Sequence, residues 1–284
     1  MTRLNEVENV KMEAAVPHPK LNFDATLYDE ILVPRLFQRW GRILLDRVVV
    51  HPGDSVLDVA TGPGTVARMA SERVGPQGRI VATDISAEML EVARRKPPVP
   101  NGGAIEYVKS SADVLSVPAQ SFDVVVCQQG VQSFPDALAA VKVMHAALKP
   151  GGRVGISVWR NLPDMPYFSA LYASIGEVMT KNNSSPPPGS GQRWYLATDL
   201  EKLLSEGGFK KSRLHQERLP MTFEGGIPQV LATVAATPVW QAVSKLSGEA
   251  RTSFESKLSS RMQTYARDGK IVISVASFIA VGEA

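Results

Sequence analysis

Two carboxylates and two glycines stand where chemistry could be arranged. Asp58 lies near the end of an apolar run at 55–60, and Asp84 directly follows a second run at 79–83. The first run breaks at Gly62-Pro63-Gly64, and an apolar-periodic stretch follows at 65–73. That order predicts strand, tight turn and helix. A turn without side chains at Gly62 and Gly64 lets the backbone come close to a ligand. The helix behind it offers free N–H groups and a positive dipole end to the same ligand. A carboxylate at the end of the next strand is placed to grip the hydroxyl pair of a ribose. Together these pieces predict a nucleoside-type cofactor without naming it, because Gly-x-Gly turns serve dinucleotides and methyl donors alike. The missing third glycine and the early Asp58 weigh against NAD.

The order of the downstream pieces narrows the choice. Ser110-Ser111-Ala112-Asp113 is followed by the β-rich run Ser121-Phe122-Asp123-Val124-Val125-Val126, then Cys127-Gln128-Gln129-Gly130, a helical stretch, and Leu148-Lys149-Pro150-Gly151-Gly152. In that order the sequence resembles the class I S-adenosylmethionine-dependent methyltransferases. The nearest branch is the small-molecule one that includes the ubiquinone and menaquinone C-methyltransferases (methyltransferase type 11). The resemblance is strong over 28–159 and thin beyond. It implies an α/β fold: a seven-stranded Rossmann-like sheet with its last strand antiparallel, helices on both faces, and a helical substrate cap.

The resemblance also implies site residues. The donor, S-adenosyl-L-methionine, would be held by Asp58, Ala60, Thr61, Gly62 and Gly64 at the first turn, and by Asp84 at its ribose. Ile85 and Met89 would wall its adenine. Tyr28 matches a lid aromatic, and Trp40, beside Arg39, would reach the methionine end. The family's acidic contact to the adenine amino group aligns with Ser111, two residues before Asp113. Either of those two could serve, while Ala112 offers its backbone N–H. Cys127 and Gln128 fall at the seam between donor and acceptor, with Gln129, Gln132 and Trp159 on the acceptor side. Related enzymes often show a histidine pair where Gln132 and Ser133 stand. No catalytic base is assigned, since the donor carries its own activation. The reading expects direct in-line transfer to a hydrophobic small molecule such as a quinone precursor or secondary metabolite.

The elements that must position these groups follow from periodicity. Residues 1–20 predict a polar arm. Residues 28–49 predict two helices split near Pro34, with Leu36, Phe37, Trp40, Ile43 and Leu44 on one face. Helices are expected at 87–95, capped by Ser86, and at 137–148, 165–179 and 199–206. Strands are expected at 105–109, 122–127, 153–158 and 209–216, and a β-branched run at 270–281 supplies the last one. A Pro/Gly/Ser loop is expected at 182–193 and mostly helical structure at 228–266. This gives an arm with lid helices over 1–50, a donor-binding core over 51–160, and the sheet's end over 161–284. Cap insertions interrupt that last part at about 161–195 and 219–269.

Composition bounds the partners. A formal charge of +3 over 284 residues, with no basic run, gives no sign of nucleic acid. One cysteine excludes an intramolecular disulfide and a cysteine-cluster metal site, so no metal is expected. No apolar stretch is long enough to span a bilayer, and the cytoplasm is the expected compartment. Whether the chain forms a homo-oligomer stays open. So do two other function classes, a non-methylating cyclase or binding protein and a methyltransferase of macromolecules.

Overall fold

The computed structural model describes residues 24–181 and 194–284. The arm expected at 1–20 and the loop expected at 182–193 lie outside the described residues. Eight strands form one sheet: β1 (Ser55–Val59), β2 (Arg79–Asp84), β3 (Ala104–Lys109), β4 (Phe122–Gln128), β5 (Leu148–Trp159), β6 (Lys211–Phe223), β7 (Ala266–Arg267) and β8 (Lys270–Glu283). Seven long strands run in the order β3-β2-β1-β4-β5-β8-β6, and the two-residue β7 pairs with β8. The sheet thus has the seven strands expected plus one short addition.

β1 to β5 are parallel, and β8 lies antiparallel between β5 and β6. The parallel strands read as apolar runs because both faces are covered. Val56, Val124 and Val126 pack into one core with the helices Gln38–Val48 and Thr65–Val74. Their neighbours Leu57, Val125 and Cys127 pack into the other with Ala137–Ala147 and Ala197–Glu206. The strand order reverses between β1 and β4, and ligands of open α/β sheets bind at the carboxyl ends of strands on either side of such a reversal.

The expected split at Pro34 does not occur. Residues 25–48 are continuously helical, with Tyr28–Phe37 wound as a π-helix. The wider winding carries Pro34, which has no N–H to give, without ending the helix; Gln38 N–H bonds back to Val33 O. This is the segment expected as the lid. β6 is longer than the periodicity indicates, running to Phe223, and its first half is an exposed charged edge. Beyond it, the helix Gly248–Gln263 packs against both Pro166–Lys181 and Gly226–Thr233, in the parts of the chain expected as the cap.

Candidate functional site

β1 delivers Asp58 into the protein at 1% exposure. Its Oδ2 accepts from Thr61 Oγ1 at 2.6 Å, while Oδ1 is buried with no partner among the described residues. Burial pushes its pKa from the ordinary 3.8 to about 7, against the Thr61 bond and a backbone bond from Ala67 that lower it. The folded protein therefore holds this proton at pH values where the unfolded chain has lost it. That contribution to stability is full below about 3.8 and fades as pH rises through about 7. The donor-free protein should accordingly melt at progressively lower temperature across that window. Asp58→Asn should flatten the profile, as followed by thermal melts at stepped pH; an unchanged slope in the variant would remove Asp58 as its source.

The turn after β1 carries the two glycines, and they differ. Gly62, at φ +56°, faces open space: a Cβ built there meets nothing within 4 Å. Gly64, at φ +79°, is closed by protein, since a Cβ would lie 2.8 Å from Tyr107 Oη and 3.2 Å from Ala93. The sequence reading gave both glycines to ligand approach. Only Gly62 leaves room for a ligand; Gly64 admits the Tyr107 ring of β3. Ala60, one residue past β1, and Gln129, one past β4, also adopt positive φ, 59° and 57°. That conformation is strained for residues with a Cβ, and both line the site.

Asp84 ties the second strand to the turn. Its Oδ2 accepts from Gly62 N–H at 2.7 Å and its Oδ1 from Ser86 N–H at 2.9 Å. Burial raises its pKa against these bonds. Ser86 caps the helix Ala87–Arg95 through Met89 N–H, which sets Met89 in the wall.

These strand ends surround a cavity of about 330 Å³. Ala60, Gly62, Asp84, Ile85, Met89, Ser111 and Ala112 line one part of it. Gln128, Gln129, Gln132 and Trp159 line another, below Tyr28 of the lid. Phe168 and Tyr172 of the cap close it. A smaller recess of about 40 Å³ adjoins it through Tyr28, Ala60, Gly62 and Gln128, and reaches Asp58, Thr61 and Val66. Burial lifts the Tyr172 phenol to about 12 and raises that of Tyr28 further, so both stay protonated.

Besides Gly64, three expected site residues line neither cavity. Trp40, 1% exposed, packs edge-on against Trp159 with ring centres 5.8 Å apart. It sits one helical step from Phe37, which does line the cavity and stacks on Tyr28 at 5.0 Å. Cys127 points into the sheet core, where burial pushes its thiol up to about 12, too high for a nucleophile. Asp113 faces away and accepts from the Ser111 hydroxyl, leaving Ser111 at the wall. The sequence reading also passed over Leu32, Phe37, Phe134, Pro135 and Pro238, apolar lining residues indistinguishable in sequence from core. Neither His145 nor His215 lines the site. His145 packs edge-on against Phe209, and His215 lies on β6 in a separate open groove.

The amides are held by the scaffold. Gln128 Nε2 donates to Phe37 O at 2.8 Å, joining β4 to the lid. Gln129 Nε2 donates to Ser277 Oγ at 3.1 Å, and its Oε1 is buried without a partner among the described residues. Gln132 Oε1 accepts from Trp159 N–H at 2.8 Å.

An S-adenosyl nucleoside suits this donor set. It needs a side-chain-free turn, a carboxylate for two hydroxyls and an apolar slot for a flat ring, and Gly62, Asp84 and the Ile85–Met89 wall offer them.

The comparisons with known proteins agree with that chemistry. Residues 20–217 match the ubiE/COQ5 methyltransferase family. One relative, the ubiquinone/menaquinone biosynthesis C-methyltransferase UbiE of Xanthomonas campestris pv. campestris, is 36% identical over 218 residues, covering 70% of this chain and 81% of its own. Among solved structures, a SAM-dependent methyltransferase from Aquifex aeolicus superposes with a TM-score of 0.52 at 20% identity, over 68% of this chain and 92% of that one. The Haemonchus contortus phosphoethanolamine N-methyltransferase 2, solved with S-adenosyl-L-methionine, gives 0.55 at 20% identity over 91% and 56%. The chain belongs to the ubiE/COQ5 methyltransferase family and is an S-adenosylmethionine-dependent methyltransferase.

Proposed function

We propose that the chain methylates a ring carbon of a flat, oxygenated hydrophobic acceptor of the quinone-precursor type. The observation that carries this is the cavity itself: the donor-facing turn opens directly onto a chamber walled by Phe37, Phe134, Trp159, Phe168 and Tyr172, with three glutamine amides at its floor. Apolar walls desolvate an aromatic ring, and the few amides orient its oxygen substituents. The role of the Xanthomonas campestris relative in ubiquinone and menaquinone biosynthesis supports the same acceptor class.

In this reading Asp84 receives the ribose hydroxyls, the Gly62 backbone runs beside the donor, and Ile85 and Met89 flank the adenine. Ser111 and Ala112 meet the adenine edge, through a hydroxyl and a backbone N–H. Asp58 and Thr61 face the amino-acid end from the smaller recess. When bound, the donor supplies a methyl group already activated on a sulfonium, so the protein's task is alignment and exclusion of water. Trp159 and Gln132, locked together by their hydrogen bond, fix one side of the acceptor chamber. Tyr28 and the cap residues Phe168 and Tyr172 close it against solvent.

The family match ends at residue 217, whereas Pro238 and the cap helix Gly248–Gln263 lie beyond it. Acceptor selection in this reading draws partly on residues outside the matched segment. The test is incubation with methyl-labelled donor and a short-chain demethylated naphthoquinol or benzoquinol. Label on a ring carbon is the expected product. Label on oxygen, or none with either ring while the donor still binds, would sink the acceptor assignment.

A further inference from the structure

The lid carries Tyr28, and Tyr28 borders both the main cavity and the recess beside Asp58. Its far end is fixed through Phe37 O, which accepts from Gln128 at the end of β4. Its near end is fixed elsewhere. Lys96, the residue that caps the helix Ala87–Arg95, donates from Nζ to Asp29 Oδ1 at 2.6 Å and to Pro63 O at 2.8 Å. Asp29 is the neighbour of Tyr28 on the lid. Pro63 stands between Gly62 and Gly64 in the turn. One ammonium thus bridges the helix that carries Tyr28 and the glycine turn. The next residue is anchored as well, because Arg68 donates to Pro97 O at 2.6 Å.

The bridge is well placed to matter. The Lys96 and Asp29 side chains are 22% and 18% exposed, so the pair is shielded well beyond an ordinary surface ion pair. An ammonium has three donors on one centre and can hold a carboxylate and a carbonyl at once. Swinging Tyr28 outward to pass a nucleoside must separate Asp29 from Lys96, while the Pro63 contact can persist on the stationary turn.

We propose that Lys96 is a positioning residue that latches the lid to the glycine turn through Asp29, and thereby sets how long donor and spent donor stay bound. This rests on the donor placement proposed above. Lys96 touches neither reactant. It acts through Tyr28 by raising the cost of opening.

The test is stopped-flow dissociation of S-adenosylhomocysteine from the full chain. Lys96→Met should speed dissociation about fivefold and quicken association too, because the same contact closes the ligand-free protein. Asp29→Asn should do the same, and the double variant should go no further than either single one. Lys96→Arg should retain slow release. A Lys96→Met protein with a lowered melting temperature but wild-type release would overturn the latch, as would additive effects of the two substitutions. Should Lys96→Met fail to fold, Asp29→Asn decides on the same readout. Asp84→Ala is measured in parallel. If it leaves product affinity intact, the donor placement fails and takes the latch with it. If it weakens binding while the Lys96 and Asp29 variants release normally, the latch alone is wrong.

Discussion

Gly62→Val should reduce S-adenosylhomocysteine affinity by about a hundredfold or more, equal to roughly 2.7 kcal/mol. Two effects combine. The backbone at Gly62 has φ +56°, which a β-branched residue adopts only under strain of about 1–2 kcal/mol. The added carbons also enter the space where a Cβ meets no protein atom within 4 Å, which is the ligand's space. Gly53 separates these effects. It too has positive φ, +83°, and open surroundings, but it precedes β1 at the opposite end of the strand. Gly53→Val should therefore cost stability with donor affinity retained, whereas Gly62→Val should lose both. Calorimetric titration and thermal melts on the pair give the answer. Equal donor affinity in the two variants would undo the assignment of the turn.

Asp84→Ala should weaken the donor by at least about tenfold. A hydrogen bond to a charged group contributes about 1.5–3 kcal/mol, and the ribose offers two hydroxyls. The carboxylate has a second duty, because it accepts from Gly62 N–H and Ser86 N–H. Removing it leaves both backbone donors without that partner and loosens the turn that Gly62 forms. Asp84→Asn keeps one acceptor oxygen and should fall between the two. A donor analogue lacking both ribose hydroxyls dissects the contributions: the alanine variant should lose much less affinity for it than for the natural donor. An equal loss for both would mean that Asp84 only shapes the turn. Unaltered binding of the natural donor in a folded variant would exclude Asp84 from the site.

The donor half of the protein was legible in its sequence for a physical reason. Parallel strands covered on both faces must be apolar and β-branched, and the turn between β1 and its helix needs glycine. Both demands leave marks at fixed positions, from Val56 through Gly62 to Asp84. The lid was less legible. Winding Tyr28–Phe37 as a π-helix shifts which side chains share a face, so that Phe37 reaches the cavity and Trp40 falls behind it. Proline at 34 read as a break, because an α-helix has no comfortable place for it. Gly64 shows a different limit. Sequence reveals that a side chain is forbidden there, but the object that forbids it is Tyr107, distant in the chain. The far half of β6 also escaped: the strand was expected to end at Gln216, and it runs on through Pro220, a residue that reads as a break, to Phe223. Cavity-lining residues such as Phe134 and Pro238 carry no mark at all, because an apolar residue facing a cavity and one facing the core look alike.

The place of β8 in the sheet bears on how the chain folds. Residues 270–283 hydrogen-bond to β5 on one side and β6 on the other, and among the described residues β6 has no other strand neighbour. The β6 strand, some sixty residues upstream in synthesis, thus cannot join the sheet until β8 has emerged. During translation β1 to β5 can assemble alone, while β5 presents an unpaired, apolar edge and β6 waits. The cap helices between β6 and β8 are made in that interval and have no finished floor to settle on. If the acceptor binds where it is proposed above, its chamber is completed last, when β8 slots between its two neighbours.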